Sequence, residues 1–119
     1  MELLIVHGQV ATGCRDGRVR LWSLASLSCV RTIEHVPLEA LQEDSYVPAG
    51  VYSVHLLGGV LVTGGEDKVV RVWSMTGDGD CIASLTHGAA LRGVGLSPNG
   101  QFMASIGGKK LLVWRPKFP

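Results

Sequence analysis

Leu61–Ser74 reads LVTGGEDKVVRVWS. Two runs rich in β-branched residues flank a Gly-Gly-Glu-Asp-Lys turn, and the second run ends at Trp73. Val, Thr and Trp suit the pleated backbone. Gly and Asp supply turn chemistry between the runs. The stretch therefore reads as a β-hairpin. The same pattern stands upstream as VATGCRDGRVRLWS, Val10–Ser23, and in shortened form downstream as MASIGGKKLLVWRP, Met103–Pro116. Aligned on Trp22, Trp73 and Trp114, the copies lie 51 and 41 residues apart. Self-similarity at a period of about 40–50 residues marks a repeat architecture, in which each unit is one small supersecondary block.

The segments between the hairpins complete those blocks. Gln9–Thr12 and Val19–Trp22 read as strands about the Cys14–Gly17 turn. Leu27–Glu34 reads as a peripheral strand, with Cys29, Arg31 and Ile33 on one face and Val30 and Thr32 on the other. Val51–Leu57 and Val60–Thr63 join through Gly58-Gly59, a two-residue hairpin connection. Val69–Trp73 and Cys81–Leu85 follow. Leu91–Leu96, Gln101–Ser105 and Lys110–Trp114 end the series, with Ser97-Pro98-Asn99-Gly100 as an explicit turn. Residues 35–50, HVPLEALQEDSYVPAG, account for the longer first gap and read as an insertion loop. The expected fold is all-β and antiparallel.

Composition sets limits on function. With 46% apolar and 18% charged residues the chain is globular rather than disordered. A net charge of +1 argues against a nucleic-acid binder. Cys14, Cys29 and Cys81 are odd in number and form no C-x-x-C pair, which points to neither a disulfide framework nor a zinc site. Leu3–Val6 is too short for the core of a signal peptide. No run approaches the roughly 18 apolar residues of a membrane span. The cytoplasm or nucleus is the expected location. No phosphate-binding G-x-x-x-x-G-K-S/T pattern occurs, the histidines show no metal-ligand spacing, and no cofactor is expected.

These residues resemble a WD-repeat β-propeller. The family pattern is a loop histidine, two strands, a Ser or Thr, an Asp in a tight turn, then a strand ending in Trp-Asp. The middle copy carries His35, Thr63, Asp67 and Trp73. The first carries Thr12, Asp16 and Trp22. The last carries His87, Ser105 and Trp114, but Gly107-Gly108 fills its turn without the Asp. Ser23, Ser74 and Arg115 stand where the second letter of Trp-Asp is expected. The resemblance implies a partial propeller of about two and three-quarter four-stranded blades with the ring not closed. Its parts are 1–34 as a partial blade, 35–50 as the insertion, 51–86 as a complete blade and 87–116 as a last blade without its outer strand. It further implies the C-terminal part of a longer propeller, whose remaining blades would be the first partners of this chain.

In the family, hydrogen bonds run from Trp to Ser/Thr to His to Asp. Carried over, Trp73 donates to Thr63, Thr63 pairs with His35, and His35 pairs with Asp67. Without its Asp, the last copy leaves His87 unanchored and its blade looser. His35, Thr63 and Asp67 also fit the residue types of a hydrolase triad, but Thr63 lies inside a strand rather than beside an oxyanion site, so no catalytic residue is expected. The resemblance implies a non-enzymatic scaffold that binds other proteins. Arg15, Glu66, Lys68 and Lys109 on the turns, and Leu38, Glu39, Glu43, Asp44 and Tyr46 on the insertion, are the candidate rim contacts. A narrower expectation is substrate recognition in a ubiquitin ligase of the F-box/WD type. Phosphate or nucleic-acid binding by the Gly-rich turns is the alternative from another class.

Overall fold

The computed structural model describes residues 8–35, 50–76 and 80–115. Residues 1–7, most of the 35–50 insertion, residues 77–79 and the tail after Arg115 lie outside the described residues. So do Leu38, Glu39, Glu43, Asp44 and Tyr46.

The described residues form ten strands: β1 (Gln9–Gly13), β2 (Arg18–Ser23), β3 (Ser28–Glu34), β4 (Val51–Leu57), β5 (Val60–Gly65), β6 (Val69–Ser74), β7 (Asp80–Thr86), β8 (Gly93–Leu96), β9 (Met103–Gly107) and β10 (Lys110–Trp114). They build three sheets in the orders β1-β2-β3, β4-β5-β6-β7 and β10-β9-β8. Every neighbouring pair is antiparallel. The sheets stack in chain order and do not close a ring among the described residues. No described helix is long and apolar enough to cross a membrane.

Two apolar layers hold the stack. Val19, Leu21 and Ile33 of the first sheet meet Val51, Leu61 and Trp73 of the second. Val62, Val70 and Val72, on the second sheet's other face, meet Leu91, Leu96 and Met103. Successive residues of a strand point to opposite faces, so β5 sends Leu61 into one layer and Val62 into the other. β5 is accordingly buried from Leu61 to Gly65. β2 is covered on one side only and alternates, with Val19 and Leu21 buried between more exposed neighbours.

Glycines set how closely the sheets approach. A Cβ on Gly64 would lie 2.7 Å from Leu91 Cδ1, and one on Gly13 would lie 2.8 Å from Val51 Cγ1. Beside these contacts the Val51 N–H donates to the Cys14 carbonyl (2.9 Å) and the Leu91 N–H to the Gly65 carbonyl (3.0 Å). Each junction thus carries the same backbone bond and the same glycine notch, one repeat apart.

Some boundaries differ from expectation for local reasons. β8 begins at Gly93 rather than Leu91, because Leu91 is bonded to the preceding sheet. β9 begins at Met103 rather than Gln101. The Asn99 side chain accepts from the Gln101 N–H (3.0 Å) and the Ser97 hydroxyl from the Phe102 N–H (3.0 Å), which holds both residues in the turn. β3 does not keep Cys29 on the face of Ile33. Leu21 pairs with Arg31 and Trp22 with Cys29, so Val30 is an extra residue that resets the alternation. β7 repeats this bulge at Ile82, between the pairs Val72 with Ala83 and Trp73 with Cys81.

Candidate functional site

Each sheet places its Trp opposite a residue two positions ahead of the Ser or Thr, so indole and hydroxyl meet on one face. In the second sheet Trp73 Nε1–H donates to Thr63 Oγ1 (3.0 Å), and Thr63 Oγ1 lies 2.7 Å from His35 Nδ1. His35 Nε2 reaches Asp67 Oδ1 (2.9 Å). Thr63 and His35 are fully buried. Asp67 is nearly so, with its side chain 8% exposed. Arg71 Nη1 donates to Asp67 Oδ2 and stands 3.0 Å from His35 Nε2. Both N–H groups converge on one carboxylate. Burial pushes the Asp67 pKa up, but the hydrogen bonds and charges of His35 and Arg71 outweigh it and hold the acid below its ordinary value.

In the third sheet Trp114 Nε1–H donates to Ser105 Oγ (3.1 Å), which lies 2.8 Å from His87 Nδ1. The expectation that His87 lacks an anchor is corrected here. Its Nε2 lies 3.1 Å from the Gly107 carbonyl oxygen. A carbonyl only accepts, so Nε2 carries the proton and Nδ1 accepts from the Ser105 hydroxyl. The ionised Asp67 imposes the same direction on His35. Main chain replaces side chain because the turn is one residue shorter and brings Gly107 under the ring.

The first sheet shows a partial version. Trp22 Nε1–H donates to Thr12 Oγ1 (2.8 Å). Asp16 accepts from Arg20 Nη2 (3.0 Å) and from the Arg18 N–H (3.0 Å). These bonds, Arg20 first, hold Asp16 down to about 2. No described histidine joins Thr12 to Asp16.

Arg20 and Arg71 were absent from the sequence reading. Both stand four residues after the Asp and two before the Trp, and Leu112 occupies that place in the copy without the Asp. The paired loss was the available signal.

No buried side-chain nitrogen or oxygen among the described residues lacks a partner. No described cluster of His, Cys, Asp or Glu could hold a metal ion. The turn end of the stack offers different chemistry. Tyr52 is the extra residue of a bulge in β4 and is thereby turned outward. Its hydroxyl donates to Glu66 Oε1. That bond raises the phenol pKa, burial and the carboxylate's charge add to it, and Arg15 opposes it. Glu66 N–H donates to the Gly50 carbonyl (2.9 Å), which ties the end of the insertion to this turn. Arg15, Lys68 and Lys109 are exposed on their respective turns.

The family model for "WD domain, G-beta repeat" matches residues 6–23, 42–74 and 79–115. The chain is 25% identical over 108 residues to human "WD repeat and SOCS box-containing protein 1", covering 88% of this chain and 24% of that protein. It is 31% identical over 121 residues to a "Ribosome biogenesis protein WDR12 homolog" of Chlamydomonas reinhardtii, covering 90% and 24%. It is 25% identical over 123 residues to "Protein HIRA" of Dictyostelium discoideum, covering 89% and 11%. The chain spans about a quarter or less of the length of these curated relatives. Matched segments and the stack of antiparallel sheets agree, and the chain belongs to the WD-repeat family, described as WD domain, G-beta repeat.

Proposed function

We propose that this chain is a non-catalytic platform for protein–protein interaction. WD repeats generally mediate such contacts. The observation that carries the reading is that the middle copy's hydroxyl, imidazole and carboxylate are used on one another. Thr63, His35, Asp67 and Arg71 satisfy one another in the interior, whereas the exposed turn end carries Arg15, Tyr52, Glu66, Lys68 and Lys109. Mixed charge around an aromatic suits a protein partner. Several cations are already neutralised, Arg18 by Glu34 and Arg20 by Asp16, which speaks against a phosphate backbone as ligand.

The test is quantitative co-purification with the wild type, with Arg15→Glu/Lys68→Glu on the rim, and with Thr63→Val inside. The reading expects partners that are lost with the rim variant while its thermal unfolding is unchanged. Capture indifferent to the rim, or nucleic acid released along a steep salt series, would contradict it. A narrower reading, substrate recognition for a ubiquitin ligase, draws on the family resemblance and on the SOCS box named in one relative. It expects ligase subunits in the same co-purification.

A further inference from the structure

We propose that the turn end, where the second and third sheets meet, is a docking surface for an acidic segment of a partner protein. The inference names the partner's chemistry and rests on the platform reading. Residues 87–92 cross from the second sheet to the third. The His87 N–H donates to the Lys68 carbonyl (2.9 Å) and the Leu91 N–H to the Gly65 carbonyl (3.0 Å), so both ends of 88–90 are fastened to the turn between β5 and β6. On its other side the same stretch lies against the turn between β9 and β10. A Cβ on Gly108 would lie 3.1 Å from Ala89 Cβ, and one on Gly107 would run into the Ala90 carbonyl oxygen. Residues 88–90 read Gly-Ala-Ala, and Gly88 and Ala90 are exposed. They form a low shelf between two turns, with no long side chain to hold a peptide backbone away.

Cations surround this shelf. Lys68 stands on one side, Lys109 and Lys110 on the other, and Arg92 where the chain enters the third sheet. All four are exposed. Lys110 reaches back over the shelf, because a Cβ on Gly88 would lie 3.1 Å from its Nζ. Gly88, at a φ of 91°, leaves that space to the ammonium. The Lys110 charge is thereby held one residue from the point where His87 is bonded to Lys68.

No described acid is paired with these groups. The ion pairs among the described residues join Arg18 and Arg20 to Asp16, Arg18 to Glu34, and His35 and Arg71 to Asp67. Glu66, beside Lys68, takes the Tyr52 hydroxyl. At the opposite end of the stack the charged side chains among the described residues are Asp80 and Arg115. Positive charge is therefore gathered at one junction of a chain whose net charge is only +1. Like charges held together repel, and carboxylates brought among them relieve that repulsion. The patch is also short. Beyond the Lys68 turn stand Glu66, Asp16 and Glu34. A phosphate backbone, negative along its whole length, would run over those acids, whereas a short acidic peptide ends before them.

Fluorescence anisotropy of a dye-labelled peptide of alternating Glu and Ser, titrated with the full chain, tests this. The peptide binds, and binding weakens as salt is raised. Arg92→Glu/Lys110→Glu weakens it roughly tenfold or more. Arg115→Glu, at the opposite end and screened from the patch, leaves it within about twofold. Slow amide exchange retained at Val62 and Val70 shows that the variants are folded. A wild type that does not bind the peptide, equal losses in the two variants, or tighter binding of an oligothymidine of equal charge overturns the proposal. A peptide that binds only after Glu39→Gln/Glu43→Gln/Asp44→Asn overturns it too, because the chain's own acids are then the occupant. Protein partners that still co-purify with Arg92→Glu/Lys110→Glu overturn this inference alone and leave the platform reading standing.

Discussion

Thr63 serves two partners that have no access to water. Its oxygen accepts from Trp73 and its hydroxyl donates to His35. Thr63→Val keeps the shape and strands both at about 1–3 kcal/mol each, so urea unfolding should show a loss of about 2–6 kcal/mol. Ser105→Ala should cost less, because Trp114 is more exposed than Trp73 and water can reach its N–H. Asp67 adds a pH dependence. Its folded pKa lies below the unfolded value, so its contribution is complete above the ordinary carboxylate value of about 3.9 and is lost as pH falls through the folded pKa. Asp67→Asn should flatten that acid limb of the stability profile. Lys68 has φ of 68° at the position where the first copy has Gly17, with φ of 85°. A left-handed non-glycine residue costs about 1–2 kcal/mol, and glycine's extra chain entropy returns about 0.5–1. Lys68→Gly should therefore raise stability by about 0.5–1 kcal/mol in the same assay.

At the scale of strands and turns, the hairpins were legible and their surroundings only in part. Asp-Gly, Gly-Gly and Pro-Asn-Gly signals are local, and they placed β1, β2, β4, β5 and β6 to within a residue or two. The bulges at Val30 and Ile82 arise from how two strands share a Trp, which neither strand encodes alone. Side-chain bonds from Ser97 and Asn99 delayed β9 past its apolar pattern. The indole–hydroxyl–imidazole positions were readable because they recur, whereas the carbonyl that replaces the missing Asp is invisible to a reading of side chains. The glycine notches carry a prediction here. Gly64→Ala places a methyl 2.7 Å from Leu91 Cδ1 and 3.0 Å from Leu91 Cβ, and should cost about 1–3 kcal/mol as overpacking. Gly95→Ala, with nothing within 4 Å, should be neutral or better. Equal effects of the two would contradict the close approach of the second and third sheets.

Across the whole molecule, stability is a sum of sheets and junctions, and each sheet contacts only its neighbours. The second sheet is covered on both faces and the outer two on one. Native-state hydrogen exchange should therefore find the amides of β5 and β6 slowest, with β3 and β10 faster. The repeat and the family were legible from three tryptophans. Partners were not, because the exposed turn residues are few and obey no repeat rule.

The central claim is that the second and third sheets are each pinned by a relay from indole through hydroxyl to imidazole, ending on an acceptor. Nitrogen-15 NMR of the two histidine rings at pH 8 tests it most directly. The account predicts that His35 and His87 both carry the proton on Nε2, with Nδ1 unprotonated and the ring N–H slow to exchange with water. A proton on Nδ1, or the averaged signal of a freely exchanging imidazole, would contradict it.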